Sequence, residues 1–134
     1  MNEDSQKFPG IEHLVRLLKL SSPMERRKLL RSIGKQYPDQ FPEIFKKSFQ
    51  AEDIEFFNEK QLLELADITD NTVLALVLYE LSPEFQKYYL GLMTSFKAKE
   101  IQYILDNFEK AQIHRDIDKA KSHLEELVKT HFLS

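Results

Sequence analysis

Apolar side chains in this chain return every three or four positions and almost nowhere every two. Ile101, Ile104, Leu105 and Phe108 stand at i, i+3, i+4 and i+7, which is one face of a helix that turns once in 3.6 residues. The same spacing runs through Ile11, Leu14, Val15, Leu17 and Leu18, through Leu29, Leu30 and Ile33, through Phe41, Ile44, Phe45 and Phe49, and through Ile117, Ala120, Leu124, Leu127 and Val128. No alternating stretch is long enough for a strand, so the pattern predicts an all-α fold. Residues 73–79 differ: Val73, Leu74, Leu76, Val77 and Leu78, with Leu81 beyond, are apolar on nearly every side. That is the pattern of a central helix enclosed by others.

The helix starts are written in capping chemistry. Ser22 is followed by Pro23 and Glu25. Its hydroxyl is placed to accept an N–H of the first turn, the Glu to reach back, and the Pro to sit where its missing N–H costs nothing. Asn58 and Gln61 repeat this reciprocal arrangement, with Phe57 placed to staple onto Leu62; Leu62, Leu65 and Ala66 carry that helix's apolar face. Thr69-Asp70-Asn71 is a break with capping residues, and Ser82-Pro83-Glu84 opens a helix whose stripe is Phe85, Tyr88, Tyr89, Leu92 and Met93. Thr94 or Ser95 caps the next helix, over about residues 96–110, and Asp116 caps the last. On the second helix Glu25, Arg26, Arg27 and Lys28 are expected to face water. Gly34 falls near its end and Tyr37-Pro38-Asp39 is a turn.

Only 3 Gly and 5 Pro occur in 134 residues, too few breakers for a loop-rich fold. That length suits one domain, or two small helical subdomains sharing a core. Periodicity weakens over residues 48–55, the best candidate junction. The expected organisation is a disordered lead over residues 1–10, a first unit of helical-repeat type over 11–49, and a C-terminal helical unit over 50–134.

Several function classes find no support. A net charge of −3 argues against nucleic-acid binding by bulk electrostatics. The Lys46-Lys47 and Arg26-Arg27-Lys28 runs are too short for a phosphate-binding patch. No stretch approaches the ~18 apolar residues of a membrane span, so no membrane insertion is expected. The start, Met1-Asn2-Glu3-Asp4-Ser5-Gln6, is acidic and polar, the reverse of a secretion signal. With Cys absent, this reads as a cytoplasmic protein. His13, His114, His123 and His131 form no i, i+4 pair, so no metal site is expected. Three glycines cannot assemble a phosphate loop, no Ser sits in a nucleophile elbow, and the Asp67–Asn71 stretch lacks the Gly and distal Glu of a calcium loop. Neither catalysis nor a cofactor is indicated, and interaction with other proteins remains.

A set of ordered matches gives that reading a direction. Phe49-Gln50-Ala51-Glu52-Asp53-Ile54 resembles a Met-Phe-x-Phe motif followed by Glu-Asp-Leu. Lys60-Gln61-Leu62-Leu63-Glu64-Leu65-Ala66-Asp67-Ile68 is similar to the leucine-rich helix that comes next, and Leu74-Ala75-Leu76-Val77-Leu78-Tyr79 to a Leu-Ala-x-Ala-Leu-Lys segment. Ser82-Pro83-Glu84-Phe85 through Leu92-Met93-Thr94 resembles the following helix with its Asn-Met-Ser cap. Asp116-Ile117-Asp118-Lys119-Ala120-Lys121 is similar to an Asp-Val-Glu-x-Ala-Gln helix opening. In this order, from residue 12 onward, the chain resembles the C-terminal domain of the flagellar motor switch protein FliG.

The resemblance implies a right-handed helical superhelix in which an armadillo-like subdomain, a hinge and a six-helix unit follow one another. It also implies a place on the cytoplasmic face of the flagellar basal body. There the charged helix faces a stator or switch-complex protein, and the armadillo-like unit packs on a neighbouring FliG-like subunit. Carried onto this chain, the partner-binding residues are Lys97, Lys99, Asp106, Asn107, Glu109, Lys110, His114 and Arg115. Lys99 takes the place of an arginine, Asp106 and Asn107 that of two acidic residues, and His114 or Arg115 that of the arginine in a Gly-Pro-Val-Arg segment. The hinge maps to Ser48, Phe49, Gln50 and Ala51. The departures are Tyr79 for a lysine, the lost charge at Asn107, the missing Gly-Pro, and a hinge that keeps one Phe. With no N-terminal or middle domain matched, the resemblance implies a divergent, stand-alone relative; a helical scaffold or adaptor for a different protein is the competing reading.

Overall fold

A computed structural model describes residues 8–108 and 113–133, with side chains from 115 in the second span. Among these residues there is no strand. The helices are α1 (Ile11–Leu20), α2 (Pro23–Gln36), α3 (Phe41–Ser48), a 3-10 helix (Ala51–Phe56), α4 (Glu59–Ile68), α5 (Asn71–Tyr79), α6 (Pro83–Leu92), α7 (Ser95–Asp106) and α8 (Ile113–His131). They fall into two compact units, Met1–Phe49 and Gln50–Ser134.

In the first unit α1 packs on α2 and α3. Leu14, Val15 and Leu18 meet Leu30, Ile33, Ile44, Phe45 and Phe49 in its core. Ser22 and Glu25 form the expected capping box, Glu25 N–H donating to the Ser22 hydroxyl at 3.3 Å and Ser22 N–H to the Glu25 carboxylate at 3.1 Å. Gly10 precedes α1 at φ +102°, a left-handed backbone that a side chain would strain. Phe8, inside the segment expected to be a disordered lead, packs edge-on against Tyr37 at 5.0 Å; residues 1–7 lie outside the described residues.

Two expectations are corrected here. Arg26 is buried, not turned to water. Its guanidinium donates to the Leu18 carbonyl at 3.2 Å and to the Ser48 carbonyl, at the C-terminal ends of α1 and α3. Those ends carry acceptors with no intrahelical donor and a partial negative charge, which a cation satisfies. Leu17 departs the other way and is 40% exposed.

In the second unit α5 is the central helix. Leu74, Ala75, Leu76, Val77 and Leu78 are all buried, against α7 on one side and α8 on the other. Asn58 and Gln61 cap α4 reciprocally, and Asp70, Ser82 and Thr94 cap α5, α6 and α7. Tyr89 of α6 is fully buried and donates to the Leu62 carbonyl at 2.8 Å. Burial also pushes its phenol up, so it stays a donor.

Tyr88, expected in the same stripe, is 50% exposed. Asp116 sits inside the first turn of α8, which begins at Ile113, and not at its cap. Residues 51–56 show no clear helical period, yet they form two turns of 3-10 helix with Ala51, Asp53 and Ile54 buried. A segment this short packs by individual side chains, so no stripe announces it. The six helices implied for this unit correspond, among the described residues, to one 3-10 helix and five α-helices.

Candidate interaction face on helix α7

Helix α7 is fixed by its inner face. Ile101 is fully buried against α5, Ile104 and Leu105 are half-buried, and Phe108, just past the helix end, packs edge-on against Tyr79 at 5.8 Å. Two polar contacts hold the N-terminal half: Lys97 donates its ammonium to the Asn71 side-chain oxygen, and the Asn71 amide donates to Glu100 at 2.7 Å. One asparagine at the start of α5 thus engages both a cation and an anion of α7.

The sequence-predicted binding positions that are described differ in their surroundings. Lys97 is half-buried and tied inward; Lys99 is exposed. Asp106 accepts from Gln102 at 2.9 Å, and Asn107 is the C-cap, its amide donating to the Tyr103 carbonyl at 2.7 Å. An uncharged amide at this position closes the helix end, a role a carboxylate would fill poorly beside that end's partial negative charge. Arg115 is exposed in the first turn of α8. Glu109 and Lys110 lie outside the described residues, as does the side chain of His114.

The outward row carries something else. Phe96, Lys99 and Tyr103 are spaced i, i+3, i+7 on the side opposite Ile101. Phe96 is 80% exposed and Tyr103 69%. Aromatic residues supply much of the anchoring energy at protein interfaces, and a helix read by a partner is read at this spacing. Reading the helix for charge alone passed these two rings over. The available signal was their position off the Ile101–Phe108 stripe, on the opposite side of the helix.

The junction residues are firmly placed. The Ser48 hydroxyl donates to the Ile44 carbonyl at 2.8 Å, and Phe49 is buried with its ring edge-on to Phe45 at 5.5 Å. Both belong to the first unit. Gln50 N–H donates to the Asp53 carboxylate and Ala51 N–H to Glu125, each at 2.9 Å, in the second.

Elsewhere in the second unit an open groove of about 440 Å³ has a floor of Val73, Leu76 and Ala120, with Asp116, Lys119 and His123 at its rim. Among the described residues no group of three His, Asp or Glu side chains is placed to hold a metal ion, and no helix is long and apolar enough to cross a membrane.

Comparison with known proteins gives the fold its relatives. The family model described as the FliG C-terminal domain matches residues 31–131. A crystal structure of FliG residues 116–343 from H. pylori superposes with a TM-score of 0.57 at 17% identity, covering 92% of this chain and 54% of that one. The structure of full-length FliG from Aquifex aeolicus superposes with a TM-score of 0.51 at 20% identity, covering 93% and 40%. The chain thus spans about half or less of the length of these solved relatives, and at such identity they speak to the all-α fold alone. A search of curated protein sequences finds no match. With well over half of its length matched in order, from α2 to the end of α8, the chain belongs to the FliG C-terminal domain family.

Proposed function

We propose that this protein is a component of the flagellar motor switch that works by binding other proteins, with the outer face of α7 as its contact surface toward a stator or switch-complex partner. Family membership supports the setting. The observation that carries the surface is the outward row of Phe96, Lys99 and Tyr103, two large aromatic rings in water with a lysine between them. In this reading the rings give the contact its affinity, while Lys99, Asp106 and Arg115 orient it. Charge on a rim steers and selects more than it holds. Glu109, Lys110 and His114 share in this contact by the family resemblance, and the protein acts on the cytoplasmic side of the basal body, with no catalytic step. The division between Phe49 and Gln50 serves as the hinge, with Ser48 and Ala51 anchored on either side.

The test is genetic and biochemical together. Deleting the gene should impair motility, and the protein should co-purify with flagellar basal bodies. Phe96→Ala with Tyr103→Ala should abolish that association, and Lys99→Glu with Asp106→Lys should weaken it, both with an unchanged thermal melt. Normal swimming in the deletion strain, with the protein missing from basal bodies, would refute the proposal.

A second reading, a helical adaptor for a different protein or for another FliG-like subunit, is favoured by the first unit. There Leu17, Leu20 and Met24 stand 40%, 79% and 63% exposed around the α1–α2 connection. Three neighbouring apolar side chains in water are an unusual expense for a small unit unless something covers them. Leu20→Ser with Met24→Ser, abolishing basal-body association where the α7 substitutions leave it intact, would move the contact to this unit.

A further inference from the structure

We propose that this chain associates with copies of itself head to tail, the apolar α1–α2 corner of one copy seating in an acid-rimmed pocket of the second unit of the next. This contact names the partner that the adaptor reading of the first unit leaves open, so it rests on that reading. It is independent of what α7 binds.

The net charge of −3 is the difference between two unlike halves. Met1–Phe49 holds ten lysines and arginines against six aspartates and glutamates, a net +4, while Gln50–Ser134 holds nine against sixteen, a net −7. Halves of opposite sign draw the first unit of one copy toward the second unit of another and oppose like-to-like pairing.

The local surfaces match that asymmetry. At the α1–α2 corner Leu17, Leu20 and Met24 stand in water. Arg16 lies one turn before Leu20, Lys19 beside it and Lys28 one turn beyond Met24, and all three cations are exposed. Glu25, the acidic residue at this corner, is turned back onto the Ser22 N–H as half of the capping box. The corner is an apolar knob with a cationic collar.

Between the end of α4 and the end of α8 an open pocket of about 260 Å³ has Ile68 and Phe132 as its apolar walls, with Glu64, Asp67 and His131 around them. Ile68 is 41% exposed, and Leu63, one turn before Asp67, is exposed beside it. Helix α4 carries Glu59, Glu64 and Asp67 against Lys60 alone. Leu20 or Met24 inserted between Ile68 and Phe132 would bring the collar to the carboxylates at the rim. There the apolar contact holds, and the charges orient it without being buried.

Knob on knob would set Arg16, Lys19 and Lys28 against their own copies, and pocket on pocket would do the same with Glu64 and Asp67. The favoured contact is therefore heterologous. Each copy keeps a free knob at one end and a free pocket at the other, so association continues past two until it closes.

The test is sedimentation velocity on the purified full chain. Over about a hundred-fold range of concentration the average mass should climb past that of two chains, as mass action requires of an open-ended contact. Raising salt from about 0.05 to about 1 M should weaken the association about ten-fold, because ions screen the facing charges. Two variants separate the surfaces. Leu20→Ser with Met24→Ser removes the knob, and Glu64→Lys with Asp67→Lys reverses the rim. Each alone should stay a single chain. Mixed in equal amounts they should form a pair and nothing larger, since one intact knob and one intact pocket remain. The concentration and salt arms use no substitution and decide the case if a variant fails to fold. A chain that stays single at every concentration, an association indifferent to salt, or folded variants that associate alone or fail to pair when mixed would overturn the proposal. Single chains in solution, together with loss of basal-body association in Leu20→Ser with Met24→Ser, would sink the self-contact and leave the adaptor reading standing.

Discussion

At the scale of single residues, the informative cases are polar groups inside. Arg26 satisfies two helix-end carbonyls within the first unit, so its loss leaves buried acceptors without that donor. Arg26→Ala should destabilise the protein by about 3 kcal/mol, measured by urea denaturation, a cost set by desolvated carbonyls more than by lost contact area. Thr69 is the converse. Its hydroxyl is buried and has no hydrogen-bond partner among the described residues, so Thr69→Val, close in shape, should stabilise by about 1 kcal/mol. Glu125 adds a pH dependence of definite sign. Burial pushes its carboxyl above the usual range, against the pull of the Ala51 N–H, and nearby Glu52 pushes the same way. A raised carboxyl holds its proton more tightly in the folded state, so its contribution to stability grows as pH falls through that raised value and is lost as pH rises. Glu125→Gln keeps an acceptor for Ala51 N–H and should flatten this part of a stability–pH curve. Glu25, lowered by its bonds to Ser22, has the opposite sign: what it adds is present above the usual carboxylate value and lost in acid.

At the scale of elements, α7 shows how a helix can be ordinary on one side and exceptional on the other. Its inner side is secured by Ile101 and by Asn71, which takes up Lys97 and Glu100. Its outer side gains nothing in stability from Phe96 or Tyr103. Replacing both with Ala should therefore change the melting midpoint by no more than a surface substitution does, about 0.5 kcal/mol equivalent. Partner binding should fall sharply, which a pull-down from cells with intact flagella measures. α5 is the contrasting case, apolar all round because α7 and α8 enclose it. The 3-10 helix lies between these extremes, with Ala51 and Ile54 buried and Glu52 tied to Lys121 of α8.

At the scale of the whole molecule, the division at Phe49 and Gln50 organises the chain. Each unit has its own set of buried side chains, Leu18, Leu30 and Ile44 in the first and Leu62, Leu74, Leu78 and Leu124 in the second. Native-state hydrogen exchange should accordingly resolve two cooperative groups, with α1 to α3 in one and α4 to α8 in the other. A single exchange class from Leu14 to Val128 would mean that the chain opens as one body.

Most of the helices were legible in the sequence because their causes are local. Ser22 with Glu25, Asn58 with Gln61, Asp70, Ser82 and Thr94 mark helix starts through contacts spanning three residues or fewer, and the stripes at Ile44, Leu74 and Ile101 follow from the 3.6-residue turn. Tertiary structure decided whatever depends on a distant partner. The burial of Arg26 needed two helix ends that lie far apart in sequence. The 3-10 helix needed Lys121 and Glu125 from α8, some seventy residues away. The candidate site was legible only in outline: its helix could be located, but which lysine is tied inward and which rings stand in water depends on Asn71 and on the packing of α5. A pattern along the chain records how one helix turns, while exposure is settled by what the rest of the molecule brings against it.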